Sequence, residues 1–477
     1  MEFIPLYYGD KLNIVNKNGY VGVITLWSKI SFVKERLAKQ GVDLNPTTSP
    51  IVAIGNLYGN GLKHLLRNLA YNPQITDLCV CGKNRSGSLE ELINFFRFGV
   101  ENVELLGFKC QRIINTKRTV DLSLNPSLFT RKPNITYIGD LVNNESIQEL
   151  SVYFKNISPA QDEIPARLKI ELPEVEVSHY PSNARSHVIV RDTPMQAWKQ
   201  LIFCIVRFGH LVQLKKGERQ ELQNVKVVVE RPEGDNPKEL EAFGFDLQHF
   251  RAYQNEILDA SMPASDTGYT YGNRIRGYFG IDTLNKCVEK LNNDYQDRHC
   301  FITLWDNKVD LQNHSCPCLV SLFFRVFEEK LTLAATFRTH NVMDAWLENF
   351  YVLMAILNFV SAKTGIAPGS ITVFSHSITI DTQEYERAKG IANQKGFELH
   401  FDPHGQFEIS IEDDEIVMYH LFGDTVISEY RGKKAERLQY ELSRDCAISD
   451  INHAIYIGRQ LARAEMCLAS GAKFVQE

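Results

Sequence analysis

Cys316-Pro317-Cys318 opens an apolar run, Leu319 to Val326, and the segment Phe337 to Asn349 reads F-R-T-H-N-V-M-D-A-W-L-E-N. A strand is expected at Leu319–Val326 and another at Leu331–Phe337. A long apolar helix is expected at Glu348–Lys363, and a last strand at Ile371–Ile380. The stretch therefore sets a thiol (Cys318), a guanidinium (Arg338) and an amide (Asn349) on one packed α/β block. Those groups suit attack, anion binding and reading of a polar ring edge. Cys318 is otherwise read as a small buried hydrophobe, the usual state of a free cysteine. Cys316 is read as a spectator.

Bulk properties frame this. The chain has 477 residues, 44% of them apolar and 23% charged, with a net charge of −6. Two to four globular domains are expected. The acidic balance disfavours nucleic-acid binding by a basic surface but leaves room for a basic pocket. No apolar run approaches the roughly 18 residues of a membrane span, and the N-terminus lacks a signal-peptide pattern. Ten cysteines without paired framework spacing point to a reducing, cytoplasmic setting. No Cys-x-x-Cys pair is present, and no zinc site is expected.

Outward from the opening stretch, residues 1–150 read as a small α/β domain. Ile51–Ile54, Ile75–Val80 and Ile135–Ile138 are strands, with helices carrying Leu62, Leu65, Leu66 and Leu69, and Leu89–Phe96. Gly55 to Gly61 is a tight strand-to-helix turn without phosphate-loop spacing. Residues 151–185, rich in Pro, Glu and Ser, read as a linker or extended arm. The central block, 186–395, begins with a strand at Val188–Val190. Thr193 then caps a helix running through Phe208, with Pro194 at its first turn. Lys215 to Arg219 is a basic turn before a strand at Val225–Glu230. Gly268 to Arg276 is an aromatic, basic loop. A helix, Ile281–Leu291, and a strand, Cys300–Trp305, precede the opening stretch. Residues 396–477 read as a small α+β domain. Its strands are Phe397–Phe401, Gln406–Ile411 and Glu415–His420, followed by helices from Gly432 and over Asp450–Ser470. His453 and Glu465 there are read as surface or core residues before site residues.

The central block resembles thymidylate synthase in its archaeal-type form. The carriers are P-C-L (Pro317–Leu319), the step to Arg338, R-T-H-N-V-M-D-A-W-L-E-N, T-Y-G-N-R (Thr270–Arg274) and T-G-I-A-P-G-S-I-T-V (Thr364–Val373). The resemblance implies a thymidylate-synthase-like central domain that transfers a one-carbon unit to C5 of a uracil nucleotide, dUMP to dTMP. The co-substrate would be 5,10-methylenetetrahydrofolate or a related methylene-pterin. Cys318 would add to ring C6. Tyr271 would lie near the C5 proton, and Glu256 would be the acid–base candidate. Arg338, Arg219 and Thr339 would hold the phosphate. Arg298 would reach a neighbour's site across a homodimer, with His299 in place of a second arginine. Asn349 would pair with N3 and O4 of the ring. Ser377 and Thr379 stand where the family's ribose-binding His and Tyr lie, and Asn341 stands where its pterin-binding Asp lies. N-P-Q-I-T-D-L-C-V-C-G-K (Asn72–Lys83) resembles the A subunit of the methanogen corrinoid methyltransferase. Ser88 falls at the cobalt-ligating position, which implies a degenerate scaffold.

The departures at Asn341, Ser377 and Thr379 keep a pyrimidine nucleotide hydroxymethylase as an alternative. A non-catalytic nucleotide-binding regulator on a synthase scaffold is a second. An N-terminal carrier domain feeding the central block is a third.

Overall fold

The computed structural model describes every residue except 86, 106–107, 175–176, 178–179, 216, 260–268, 314–315 and 395–400. It is a mixed α/β protein with several sheets, and it divides into two compact units, 1–395 and 396–477.

The first unit opens with β1 (Asn13–Ile14), β2 (Val21–Ile24), α1 (Ile30–Lys39), β3 (Ile51–Gly55), α2 (Leu62–Tyr71), β4 (Asp77–Cys81) and α3 (Ser88–Arg97). β5 (Val100–Leu105), β6 (Phe108–Ile113), β7 (Thr119–Val120), β8 (Asn134–Gly139) and α4 (Asn144–Asn156) follow. The main sheet runs β1-β3-β2-β4-β8, parallel except for β1. The strand order reverses between β2 and β4, the place where open α/β sheets usually leave a ligand crevice. Here the crevice is laced shut. Trp27 N donates to Lys83 O at 3.2 Å, and Lys83 N donates to Ser28 Oγ at 3.2 Å. Gly82, at φ +94, has room for no side chain, because a Cβ would lie 2.5 Å from Thr25 O.

Residues 157–187 carry no helix or strand among the described residues. They still pack. Leu168 N donates to Ala70 O, Arg167 to Tyr71 O and Asn72 Oδ1, and Ile170 is buried in the core around α2 and α3.

The rest of the unit holds β9 (Val188–Arg191), α5 (Pro194–Phe208), β10 (His210–Leu214), β11 (Gly217–Val229), α6 (Pro237–Ala242), α7 (Leu247–Leu258), α8 (Tyr271–Arg276) and α9 (Thr283–Asn293). β12 (Phe301–Thr303), β13 (Leu319–Phe327), β14 (Lys330–Phe337), β15 (His340–Asn341), α10 (Trp346–Thr364), β16 (Pro368–Asp381) and α11 (Tyr385–Asn393) complete it. The sheet order is β10-β11-β16-β14-β13-β12, with β9 beside β11 and β15 beside β16. α5 starts with a complete Thr193/Gln196 capping box, which supplies about 1 kcal/mol to the helix start. Its Trp198 is fully buried and donates to Val342 O at 2.8 Å, tying α5 to the turn before α10. α10 is apolar nearly all round because it is enclosed, with Leu347, Phe350, Val352, Leu353, Ile356, Leu357 and Val360 all in the core.

Three expectations change here. The segment read as a loop at Gly268–Arg276 is the helix α8 from Tyr271 onward, capped by Thr270 Oγ1 (Gly268 lies outside the described residues). β11 begins at Gly217, eight residues before the expected Val225, so the basic turn is the tip of a hairpin with β10. The three-stranded antiparallel sheet β5-β6-β7 was not read at all.

The second unit is a meander, β17 (Gln406–Glu412), β18 (Glu415–Phe422) and β19 (Thr425–Gly432), followed by α12 (Ala435–Arg444) and α13 (Ile451–Ser470). The strand expected at Phe397–Phe401 falls almost wholly outside the described residues. Asp402 ties the start of α13 to the meander: it accepts from Ser449 N and Oγ, Asp450 N and His453 Nδ1. His453 therefore has a structural partner.

Candidate functional site

The twenty-residue step from Cys318 to Arg338 is a product of one hairpin. β13 and β14 pair antiparallel, with Leu319 opposite Phe337 and Phe327 opposite Lys330. Glu328 and Glu329 make the two-residue turn, both at positive φ (49° and 60°), the form that matches strand twist. Cys318 and Arg338 thus face each other at the open end, where Arg338 N donates to Cys318 O at 2.9 Å.

The Arg338 side chain folds back over the thiol. Its Nε donates to Pro317 O at 2.8 Å and its Nη2 to Cys316 O at 3.0 Å, and Nη2 lies 3.8 Å from Cys318 Sγ. A fixed cation at that distance favours thiolate over thiol. Cys318 itself is half-buried at the edge of the core.

Tyr271 arrives from α8. Its hydroxyl accepts from Leu319 N at 3.3 Å, one residue after the thiol. α8 comes this close because Gly272 lets it press on the end of α7, where a Cβ would lie 2.8 Å from Ile257 O. Burial first, and then the neighbouring Cys318, push the Tyr271 hydroxyl pKa well above the usual phenol range, so Tyr271 stays protonated. Tyr269 is raised for the same two reasons. Arg274, in the same motif, is buried against Asp310 at 2.7 Å and is structural.

Asn349 lies on the first turns of α10, 9% exposed. Its Nδ2 is 3.2 Å from His340 Nε2, and His340 Nδ1 is 2.9 Å from Ser375 Oγ. His340 stacks on Phe337 at 3.8 Å, and burial lowers its pKa to about 3, so the ring is neutral. Thr379 Oγ1 donates to His340 O at 3.3 Å, and Ser377 is half-buried on the same strand. Thr339 is half-buried next to Arg338.

Asn341 does not stand alone. Its Oδ1 accepts from Met343 N at 3.0 Å, and its Nδ2 donates to Asp344 Oδ2 at 3.1 Å. An acid therefore is present, three residues on. Asp344 is exposed on the turn before α10. Desolvation there, and the Glu384 carboxylate, raise its pKa against the pull of Arg387, Arg118 and Lys63.

Glu256, on α7, pairs with Arg85 at 3.3 Å. Arg85 belongs to the loop after β4, so the N-terminal block reaches α7 here. Burial first, and then Glu348, Tyr269 and Glu256 nearby, raise the Tyr253 hydroxyl pKa, with Arg85 opposing.

Two expected residues stand apart. Arg219 is ion-paired with Asp381 at 2.7 Å. Asp381 lies six positions along β16 from Ser375, which pairs with Phe337, so Arg219 is about 20 Å along the strand from the thiol end. Arg298 is exposed on the loop between α9 and β12. His340, Ser375, Asp344 and Arg85 are the residues that sequence reasoning missed. His340 sits in plain view inside R-T-H-N, but its partners are 9 and 35 residues away.

The geometry gives a thiol with a guanidinium nitrogen 3.8 Å from its sulfur and, on α10, an amide hydrogen-bonded to a buried imidazole. Comparison with known proteins then adds to it. The chain is similar to archaeal-type proteins described as "Putative thymidylate synthase". The relative from Methanothermobacter marburgensis is 27% identical over 214 residues, 42% of this chain and 95% of the relative. That from Methanococcoides burtonii is 28% identical over 210 residues, 44% and 95%. That from Methanopyrus kandleri is 29% identical over 193 residues, 40% and 91%. The matched length is that of one block of the chain. A family profile described as PterinBD-DUF4346 matches residues 401–477, nearly all of the second unit.

Proposed function

We propose that the central block is a thymidylate-synthase-type methyltransferase acting on a uracil nucleotide, dUMP to dTMP. The observation that carries the reading is the Cys318–Arg338 pair, a thiol 3.8 Å from a guanidinium fixed by two backbone carbonyls. Cys318 as thiolate adds to ring C6, and the electron pair moves to C5 and O4, so that C5 becomes the nucleophile. Asn349 accepts from N3–H and donates to O4, where that charge develops. Arg338 and Thr339 take the nucleotide's anionic end, and Ser377 and Thr379 line the sugar side. Tyr271, a protonated phenol at the Cys318–Leu319 junction, orders the water or base that removes the C5 proton. Glu256, held by Arg85, is the acid–base partner on the far wall.

The one-carbon unit and the hydride would come from a methylene-pterin such as methylenetetrahydrofolate. The residues present suit a pterin: the amide of Asn341 and the carboxylate of Asp344 are hydrogen-bonded side by side, and a carboxylate is what a pterin's N–H and amino donors need. The profile match of the second unit supports a pterin as co-substrate. A second copy of the chain is proposed to bring Arg298 to the site, in keeping with its exposure.

The test is direct. Full-length protein is incubated with dUMP and methylenetetrahydrofolate, and the nucleotide is weighed by mass spectrometry. A methyl addition is expected. Neither a mass gain nor exchange of the C5 hydrogen would overturn the reading. A hydroxymethyl product would move the assignment to the hydroxymethylase.

A further inference from the structure

A buried neutral imidazole has one ring nitrogen that donates and one that accepts, and here that choice bears on what Asn349 can read. His340 is 3% exposed and Ser375 1% exposed, and both ring nitrogens are engaged. With Asn349 Nδ2 facing Nε2, that nitrogen must accept. The proton then sits on Nδ1 and is donated to Ser375 Oγ. The stack on Phe337 prevents the ring from turning to exchange the two nitrogens. Neutrality is secured by burial, which holds the pKa at about 3, so no third, doubly protonated form competes near neutral pH.

The consequence lies at the other end of the amide. With one Nδ2 hydrogen on His340, the second hydrogen and Oδ1 form a donor–acceptor pair. Uracil presents the complement, O4 as acceptor and N3–H as donor. Cytosine presents the reverse, an amino donor at C4 and an N3 acceptor. To read cytosine, the amide must flip, placing Oδ1 against His340 Nε2. Two lone pairs would then face each other unless the imidazole proton moved to Nε2 and Ser375 became the donor. We propose that His340, as the Nδ1–H tautomer that leaves Nε2 to accept from Asn349 Nδ2, is the positioning residue that orients the Asn349 amide for uracil and against cytosine nucleotides.

This rests on the uracil reading above and adds a residue to it. Neither the thiol chemistry nor the pterin enters the argument, so the test needs neither. Calorimetry of the full-length chain with dUMP and with dCMP gives the wild-type preference. His340→Leu removes the acceptor and frees the amide to flip. The dUMP/dCMP preference is expected to fall by about tenfold or more, as for loss of one oriented buried hydrogen bond. His340→Gln restores an acceptor on a neutral side chain and is expected to recover part of the preference. Long-range ¹H–¹⁵N imidazole spectra of the wild-type chain at neutral pH are expected to show protonated Nδ1. This readout stands even where a variant folds poorly.

An Nε2–H tautomer overturns the proposal. So does a folded His340→Leu chain that keeps the full preference while wild type binds dUMP, and in that case the uracil reading survives. Wild-type chain that binds neither nucleotide overturns the uracil reading and the proposal together.

Discussion

The position of the Arg338 guanidinium is set by carbonyls of the chain itself, at Cys316 and Pro317, so its distance from the sulfur does not depend on a bound ligand. A lysine has no planar fork and cannot hold both carbonyls while touching Sγ. Arg338→Lys is therefore expected to slow alkylation of Cys318 by iodoacetamide at neutral pH by about tenfold, through loss of thiolate character. Peptide mapping isolates this thiol from the others, and an unchanged rate would mean that the cation does not act on the sulfur. Cys318→Ser is expected to retain dUMP binding and to lose turnover by about three orders of magnitude or more, because a serine hydroxyl here has no activating base. Turnover near the wild-type level in that variant would exclude covalent activation. Tyr271 adds a constraint of its own. Its raised pKa means that it acts as a donor throughout the ordinary pH range, so no alkaline limb of a rate profile below pH 10 belongs to it.

At the scale of elements, the β13–β14 hairpin sets the register of the thiol and the guanidinium, and its turn is made of two glutamates in a conformation that suits Asn-Gly. Replacing Glu328-Glu329 by Asn-Gly is expected to stabilise the protein by about 1 kcal/mol in urea unfolding, through relief of left-handed backbone strain. Cys318 reactivity should not change, and a change would show that the turn, and not only the ladder, governs the site. The hairpin also shows what was legible in the sequence. Both strands, α10 and β16 announce themselves by apolar runs, and α5 by Thr193-Pro194. The β5–β6–β7 sheet was hidden because β5 places its apolar residues at 100, 103 and 105, out of strict alternation among Glu101, Asn102 and Glu104, and presents much of its surface to solvent. The helix α8 was read as a loop because its glycine, Gly272, serves close approach to α7 and not a turn. In the candidate site, Cys318, Arg338 and Asn349 stand out in the sequence because their spacing is local to one hairpin and one helix. Ser375 and Arg85 do not, because their contacts with His340 and Glu256 cross from one element to another far along the chain.

At the scale of the first unit, the N-terminal block is fastened to the central block by polar pairs: Arg85–Glu256, Lys63–Glu384 at 3.9 Å, and His64 Nε2 to Gln383 Nε2 at 3.4 Å. His64 is buried between Tyr7 and Tyr8, and burial, with Lys63 beside it, lowers its pKa from 6.5 to about 4. Above about pH 6.5 the ring is neutral both folded and unfolded, and pH has no leverage on it. Between 6.5 and 4 the unfolded chain binds a proton that the folded chain refuses, so stability falls as pH falls, by up to about 1.4 kcal/mol per unit. At pH 5 that is a loss of about 2 kcal/mol from His64, and a loss of the same sign and size from His340, whose pKa is about 3. Glu91 and Asp235, whose carboxyls are raised by burial, act with the opposite sign, since their protonation favours the folded state. The net slope is thus a difference, and single variants separate it. His64→Phe keeps an aromatic ring between the two tyrosines and removes the titration. Urea unfolding of the full chain at pH 7 and pH 5 is expected to show a smaller acid loss in His64→Phe than in wild type, by about 2 kcal/mol. An equal loss in both would mean that His64 accepts its proton while the block remains docked, and that the junction is not an acid-sensitive seam.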